Sequence, residues 1–256
     1  MSTPHPCAGE VLLGIRHLNK RFGGLQVTND VTLDLRAGVV TTLVGPNGAG
    51  KTTLFNQITG HLVPDSGEIH WMGRPLLGKR PHEIARLGIA RTFQDLRLFD
   101  HMTVRENVLT VTENRAWLWQ PGGRSARDER AARVDAILDR TGLAGKAEAR
   151  AIDLAYAERK FLSIARVMAT GARIWLLDEP ASGLDRGSYG HFLELLRSEV
   201  RNGVTVCIIE HNLDIVVSIS DRIAFLDQGR LLADGDPQTV LNDPHLAAIY
   251  FGEQTS

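Results

Sequence analysis

The stretch from Val39 to Thr53, VVTTLVGPNGAGKTT, limits what this chain can become more than any other. It reads G-x-x-x-x-G-K-T from Gly45 to Thr52. The apolar run before it reads as a buried strand, and Leu54 to Thr59 after it reads as a short helix stopped at Gly60. Strand, glycine-rich loop and helix in that order is the context in which this pattern cradles phosphate. Gly48 and Gly50 let the backbone curl until successive N–H groups point inward at phosphate oxygens. The helix start adds the positive end of its dipole. Gly45, Pro46, Asn47, Gly48, Ala49, Gly50, Lys51, Thr52 and Thr53 are the candidate phosphate-binding residues. In such a loop Lys51 reaches the β- and γ-phosphates and the Thr52 hydroxyl ligates Mg²⁺.

The chain has 256 residues, 43% hydrophobic and 23% charged, a globular balance with ample length for a full core. A formal net charge of -1 offers no electrostatic footprint for nucleic acid. Cys7 lies in a proline-rich start and Cys207 in an apolar run, a poor disulfide pair that suits a reducing compartment. The start MSTPHPCAGE lacks the apolar core of a signal peptide. No apolar stretch reaches the ~20 residues that cross a bilayer, so in a transport role another chain would supply the pore.

Residues 1–9 read as a flexible tail. Val11 to Ile15 and Val31 to Leu35 read as strands flanking a loop, Lys20 to Gly24. On that loop Phe22 is either a half-buried core aromatic or a platform for a flat base. Glu68 to Trp71 reads as a short strand between turns, which suggests a small antiparallel sheet beside the phosphate-binding core. Pro81 to Leu87 reads as a helix, and Gly88 to Gln94 as a short strand ending on an amide. Residues about 95–165 read as a helical insertion containing Trp117, Trp119 and a break at Pro121-Gly122-Gly123. Its helices show apolar faces at Val134, Ile137, Leu138 and Thr141, and at Phe161, Ile164, Ala165 and Met168. Buried strands follow at Ile174 to Leu177 and Val204 to Ile209, then a hairpin around Asp227 to Arg230. Residues 236–256 read as a C-terminal helical extension of a domain spanning 10–235.

The first strand of that set delivers chemistry. Asp178 and Glu179 stand at its C-terminal end, where α/β sheets place their ligands. Asp178 suits a Mg²⁺ shell, and Glu179 suits orienting or deprotonating an attacking water. Gln94 carries an amide that can ligate Mg²⁺ and hydrogen-bond water without adding charge. His211 follows another strand, placed either to contact the γ-phosphate or to hold Glu179.

With those pieces in order, the chain resembles the nucleotide-binding subunits of ATP-binding cassette (ABC) transporters over nearly its whole length. Phe22 matches the aromatic loop, Gly45 to Thr53 Walker A, Arg91-Thr92-Phe93-Gln94 the Q-loop, and Ile174 to Pro180 Walker B. Ala181-Ser182-Gly183-Leu184-Asp185 matches the D-loop and His211 the switch histidine. The resemblance implies an α/β fold: a P-loop NTPase (RecA-like) core, an antiparallel β subdomain and an inserted α-helical subdomain. It implies ATP and Mg²⁺ as cofactors and ATP hydrolysis as the activity. Catalytic residues would be Glu179, His211, Gln94 and Lys51; metal ligands would be Thr52, Gln94 and Asp178. It also implies a peripheral position on the cytoplasmic face of the cell membrane. The partners would be a second ATPase subunit, identical or different, two membrane permease subunits and, indirectly, a solute-binding protein. Arg21 to Leu25, Arg91 to Phe99, Met102 to Asn107, Ile209 to Asp214 and Tyr250 to Glu253 resemble the longer ATPase subunit of branched-chain amino acid importers. Lipopolysaccharide-export ATPases share several of these cues. A soluble ABC ATPase or a small-molecule P-loop kinase are further readings; a kinase needs neither the D-loop nor His211.

One motif departs from the family. Where relatives carry Leu-Ser-Gly-Gly-Gln or Leu-Ser-Tyr-Gly-Gln, this chain has Leu154-Ala155-Tyr156-Ala157-Glu158. In the family this signature completes the nucleotide site of the partner subunit, and the resemblance implies Ala155, Tyr156, Ala157 and the D-loop Asp185 as further nucleotide-binding residues. Ala155 lacks the serine hydroxyl, and Glu158 brings negative charge toward a triphosphate. Ala157 would cost about 1 kcal/mol if its position needs positive φ.

Overall fold

Parallel strands covered on both faces require continuous apolar runs, and three segments satisfy this. In a computed structural model that describes residues 9–112 and 124–252, β3 (Val40–Val44), β7 (Ile174–Asp178) and β8 (Thr205–Ile209) are buried along their whole length. Residues 1–8 with Cys7, the tryptophans Trp117 and Trp119, the break at Pro121-Gly122-Gly123, and Glu253 lie outside the described residues.

The chain forms two compact units. The first comprises Met1–Arg91, Arg173–Glu179 and Ser198–Ser256, the second Thr92–Ala172 and Pro180–Arg197. The second unit is wider than an insertion of about 95–165, because residues 180–197 join it after β7 is complete. That regrouping is a matter of spatial contact and leaves no mark on composition.

In the first unit, β1 (Val11–Phe22), β2 (Leu25–Arg36), β4 (Ser66–Trp71) and β5 (Arg74–Pro75) form an antiparallel sheet ordered β2-β1-β4-β5. The second sheet adds β6 (Ile89–Arg91), β9 (Arg222–Asp227) and β10 (Arg230–Gly235) in the order β10-β9-β3-β8-β7-β6. Its strands run parallel except β10, which pairs antiparallel with β9. Helix α1 (Lys51–Ile58) contributes Leu54, Phe55 and Ile58 to one apolar cluster shared with both sheets. Cys207 is buried in this cluster, and burial pushes its thiol pKa well up. Between the sheets' strands runs α2 (Pro81–Arg86). Near the C-terminus come α7 (Leu213–Ile219), α8 (Pro237–Leu241) and α9 (Pro244–Gly252).

The first hairpin is longer than its hydrophobic alternation suggests. Residues 20–22 are strand, and the two strands meet directly at Gly23-Gly24. Bulges explain the difference. The β1–β2 register shifts between Ile15 and Leu18 and again before Lys20 and Arg21, and His17 and Asp30 adopt left-handed φ of 51° and 57°. Each bulge displaces the period-2 pattern by one residue, so the pattern fades where the strand continues.

The second unit is helical. Its helices are α3 (Val104–Thr112), α4 (Arg124–Arg140), α5 (Tyr156–Ala169) and the greater part of α6 (Arg186–Arg201). Val134, Ile137, Leu138 and Thr141 are buried at the end of α4, and Phe161, Ile164, Ala165 and Met168 along α5, as their spacing predicts. Each large apolar side chain buried here contributes about 1.5–3 kcal/mol. Among the described residues no helix is long and apolar enough to cross a membrane.

Candidate active site

The glycine-rich loop leaves β3 and enters α1, which begins at Lys51, three residues earlier than the pattern predicts. Two glycines are enforced by neighbouring backbone. Gly45 has φ 141°, and a Cβ there would lie 1.9 Å from the Leu226 carbonyl oxygen. Gly50 has φ 102°, and its Cβ would lie 2.3 Å from the Val27 carbonyl oxygen. No side chain fits at either position, so the tight loop and its packing are one constraint. The Lys51 ammonium donates to the carbonyls of Gly45 and Pro46 at 2.6 and 2.8 Å, folded over its own loop. Thr52, in the first turn of α1, is exposed. Phe22 closes β1 on the same unit with 51% of its surface exposed, and the Lys20 ammonium lies 5.6 Å from its ring centroid. Phe22 is therefore a surface residue and not a core residue.

Strands β7 and β8 pair in parallel, and β8 pairs with β3. Their C-terminal ends therefore carry the glycine-rich loop, Asp178-Glu179 and Glu210-His211 side by side. Asp178 ends β7 almost fully buried, with Arg91 Nη2 3.2 Å from its carboxylate; the two side chains are 4% and 5% exposed. Burial raises the Asp178 pKa, and the Arg91 charge opposes that shift. Arg91 also donates through Nη1 to Asn56 of α1 at 2.6 Å. One guanidinium thus ties the phosphate-loop helix to the carboxylate of β7. Glu179 adopts φ 48°, a left-handed conformation that costs a non-glycine residue about 1–2 kcal/mol. Its N–H donates to the Ile209 carbonyl at 3.0 Å, which extends the ladder one residue past the strand and fixes the turn. The Glu179 carboxylate then meets His211 Nε2 at 2.8 Å.

The remaining candidates belong to the second unit. Gln94 does not end a strand: β6 stops at Arg91, and Gln94 lies three residues further on. With Asp95, Leu96, Arg97, Tyr156 and Arg159 it lines an open cavity of about 390 Å³. Ala155 stands at the N-cap of α5 with extended backbone, and its N–H donates to Glu158 Oε2 at 2.9 Å. Glu158 also meets Lys146 Nζ at 2.6 Å. The Lys146 hydrogen bond holds the Glu158 carboxyl below its ordinary range. Ala157 is an ordinary helical residue without positive φ, so the backbone penalty considered for alanine there does not arise. Tyr156 is 55% exposed. Asp185 accepts from the N–H groups of Gly187 and Ser188 and from the Ser188 hydroxyl at 2.8–3.0 Å. It caps the start of α6, and those hydrogen bonds, Ser188's first, lower its pKa.

Residues 28–182 match the family model for ABC transporters. The chain belongs to the ABC transporter family. It is 42% identical to the high-affinity branched-chain amino acid transport ATP-binding protein LivG of Salmonella typhimurium, covering 94% of this chain and 98% of that protein. It is 40% identical to BraF of Pseudomonas aeruginosa, another high-affinity branched-chain amino acid transport ATP-binding protein, over the same shares. Among solved structures it is similar to MJ1267, an ATP-binding cassette of an ABC transporter in its ADP conformation. There the TM-score is 0.83 and the identity 30%, covering 95% of this chain and 99% of that one. This ABC subunit is accordingly an ATP-binding, ATP-hydrolysing component of a transporter, with a P-loop NTPase fold.

Two residues of this ABC subunit's site lie outside the motif-based set of side chains. Arg91 stands in the Q-loop motif, and its pairing with Asp178 joins residues 87 positions apart, a distance no local pattern spans. Tyr250 donates its hydroxyl to the His211 carbonyl. It lies 39 positions from His211, so no local pattern marks the contact.

Proposed function

We propose that this chain drives uptake of branched-chain or other hydrophobic amino acids. It would hydrolyse ATP at the cytoplasmic face of the cell membrane while two permease subunits form the pore and a binding protein delivers the solute. The solute class is supported by what the similar LivG and BraF proteins are named for. The hydrolytic role rests on one observation above the rest, the 2.8 Å Glu179–His211 contact at the end of strands adjoining the phosphate loop. Phe22 would stack on adenine, and residues 45–53 would hold the phosphates through backbone N–H groups and Lys51. To do so, Lys51 exchanges its loop carbonyls for phosphate oxygens. Glu179 takes a proton from, or orients, the attacking water, and His211 holds Glu179 in place. Gln94, carried by the second unit, would sense the γ-phosphate, and that helical unit would pass the movement to the permease subunits.

The donor set fits Mg²⁺. No group of three or more carboxylate, histidine or cysteine side chains gathers among the described residues. One hydroxyl, Thr52, and one carboxylate, Asp178, would suit an ion that keeps its waters and its phosphate oxygens, with the Gln94 amide of the second unit as a further candidate ligand. Bound there, the ion would neutralise charge on the transferring phosphate.

The signature carries a further part of the proposal. Donors at the start of α5 would contact ATP held by a second ATPase subunit. Here Glu158 already accepts the Ala155 N–H, so the partner's nucleotide would meet a carboxylate. The assembly is then an asymmetric heterodimer in which this chain's Walker site turns over and the opposite site is slow.

Glu179→Gln tests the reading. Measured on the assembled complex, ATP turnover and uptake of radiolabelled leucine fall by about 100-fold or more, while ATP binding persists. Retained turnover removes Glu179 from the reaction. Normal turnover in the unsubstituted complex, with no stimulation by any hydrophobic amino acid, removes the solute class.

A further inference from the structure

The catalytic side of His211 is its ring, but the residue is also gripped from behind. Its carbonyl accepts the Tyr250 hydroxyl. The next residue, Asn212, caps α7 by accepting from the N–H groups of Asp214 and Ile215 at 2.9 and 3.4 Å. The peptide joining His211 to Asn212 is therefore held at both ends, by α9 on one side and by α7 on the other. Val216 of α7 and Tyr250 of α9 belong to one apolar cluster with Val44, Ile223, Phe225 and Leu246. That cluster sits against the strand that feeds the phosphate loop.

Tyr250 is built to donate. Its ring is buried and packs edge-on to Phe225, with centroids 6.4 Å apart at 65°. Burial, with the Glu210 charge second, raises the phenol pKa, so the hydroxyl keeps its proton. The apolar grip around it is incomplete. A cavity of about 140 Å³ lies between α8, α9 and the sheet, lined by Val44, Leu213, Phe225, Val240, Leu246 and Tyr250. Shape alone leaves α9 room to shift, and the hydroxyl supplies the directional contact that sets where His211 stands.

We propose that Tyr250 is a positioning residue, by which the C-terminal helix α9 fixes the backbone of His211 and so aims its ring at Glu179. The inference rests on the hydrolytic role of His211 given above. Its consequence is that the far C-terminal helix takes part in the active site through one hydrogen bond to a main-chain carbonyl. Displacements well under an ångström at the ring change a 2.8 Å contact, and misplacement of about 1 Å in a catalytic group can cost a hundredfold in rate.

The test compares Tyr250→Phe, which deletes only the hydroxyl, with Val240→Ala, which enlarges the same cavity without touching His211. Both are made in the full-length chain and assayed in its transporter complex. Tyr250→Phe lowers kcat roughly tenfold with KM for ATP unchanged within about twofold. It also moves the His211 ring resonances in spectra of the isolated, histidine-labelled chain. Val240→Ala lowers thermal stability at least as much as Tyr250→Phe does, yet leaves kcat and those resonances in place. Two results overturn the proposal: kcat of Tyr250→Phe within twofold of the unsubstituted chain, or an equal loss in Val240→Ala. His211→Ala separates this from the reading beneath it. Loss of turnover in His211→Ala with normal Tyr250→Phe defeats only the positioning role, whereas full turnover in His211→Ala defeats the role of the histidine itself.

Discussion

The ends of β3 and β7 and the start of α5 both belong to nucleotide-contacting motifs of this family, yet they are built in opposite ways. At the strand ends the backbone is held in demanding conformations. Gly45 and Gly50 occupy positions that exclude any side chain, and Glu179 sits at φ 48°. Asp178 is kept buried against Arg91. The start of α5 is relaxed. Ala155 is an ordinary extended N-cap, Ala157 is ordinary helix, and Glu158, paired with Lys146, accepts the Ala155 N–H. Strain persists only where surrounding structure over-determines it. A helix start with a carboxylate already on one of its N–H groups has less to offer a phosphate.

The contrast can be broken at three points. The largest effect is expected at Arg91. Arg91→Met leaves Asp178 buried without its counter-charge, and denaturant unfolding should register a loss of about 3–5 kcal/mol. A loss below about 1 kcal/mol means that Asp178 is not held under tension by its burial. A smaller effect comes from restoring the family signature with Ala155→Ser, Ala157→Gly and Glu158→Gln together. Glutamine keeps the capping bond and removes the charge. ATP affinity at the partner-held site should rise two- to fivefold, about 0.3–1 kcal/mol, as measured by nucleotide titration of the complex. No change would place the slow step elsewhere.

The smallest effect is at Lys146→Met. The Lys146–Glu158 pair is half exposed on the lysine side, so its loss costs about 0.5 kcal/mol or less at neutral pH. Its pH dependence has a definite sign. Glu158 titrates below its ordinary 4.5 in the folded chain, so the pair's contribution is complete above that value. It disappears as pH falls through the lowered one. Stability curves of the two proteins should converge in acid and separate above about pH 4.5; parallel curves would show that the pair is electrostatically idle.

The part of the molecule visible in the sequence is the part specified by neighbours in the chain. The glycine-rich loop, the buried runs of β7 and β8, and the apolar faces of α4 and α5 are local patterns, and each stands where its spacing predicts. What escaped depends on contacts between distant segments. Bulges at His17 and Asp30 hid the true length of the first hairpin. Gln94 moved off its strand because β6 stops at Arg91, where the second unit begins one residue later. The left-handed turn at Glu179 is imposed by the Ile209 carbonyl. The Arg91–Asp178 pair and the Tyr250 tie to His211 join residues 87 and 39 positions apart.

On the proposed function, catalysis belongs to this chain's own Walker site, and the start of α5, with Glu158 on the Ala155 N–H, leaves the opposite site slow. The most direct measurement is steady-state ATP turnover of the assembled complex carrying Glu179→Gln in this chain, set beside the corresponding substitution in the second ATPase subunit. Glu179→Gln is expected to remove most of the turnover and the partner's substitution little. A larger loss from the partner's substitution would contradict it.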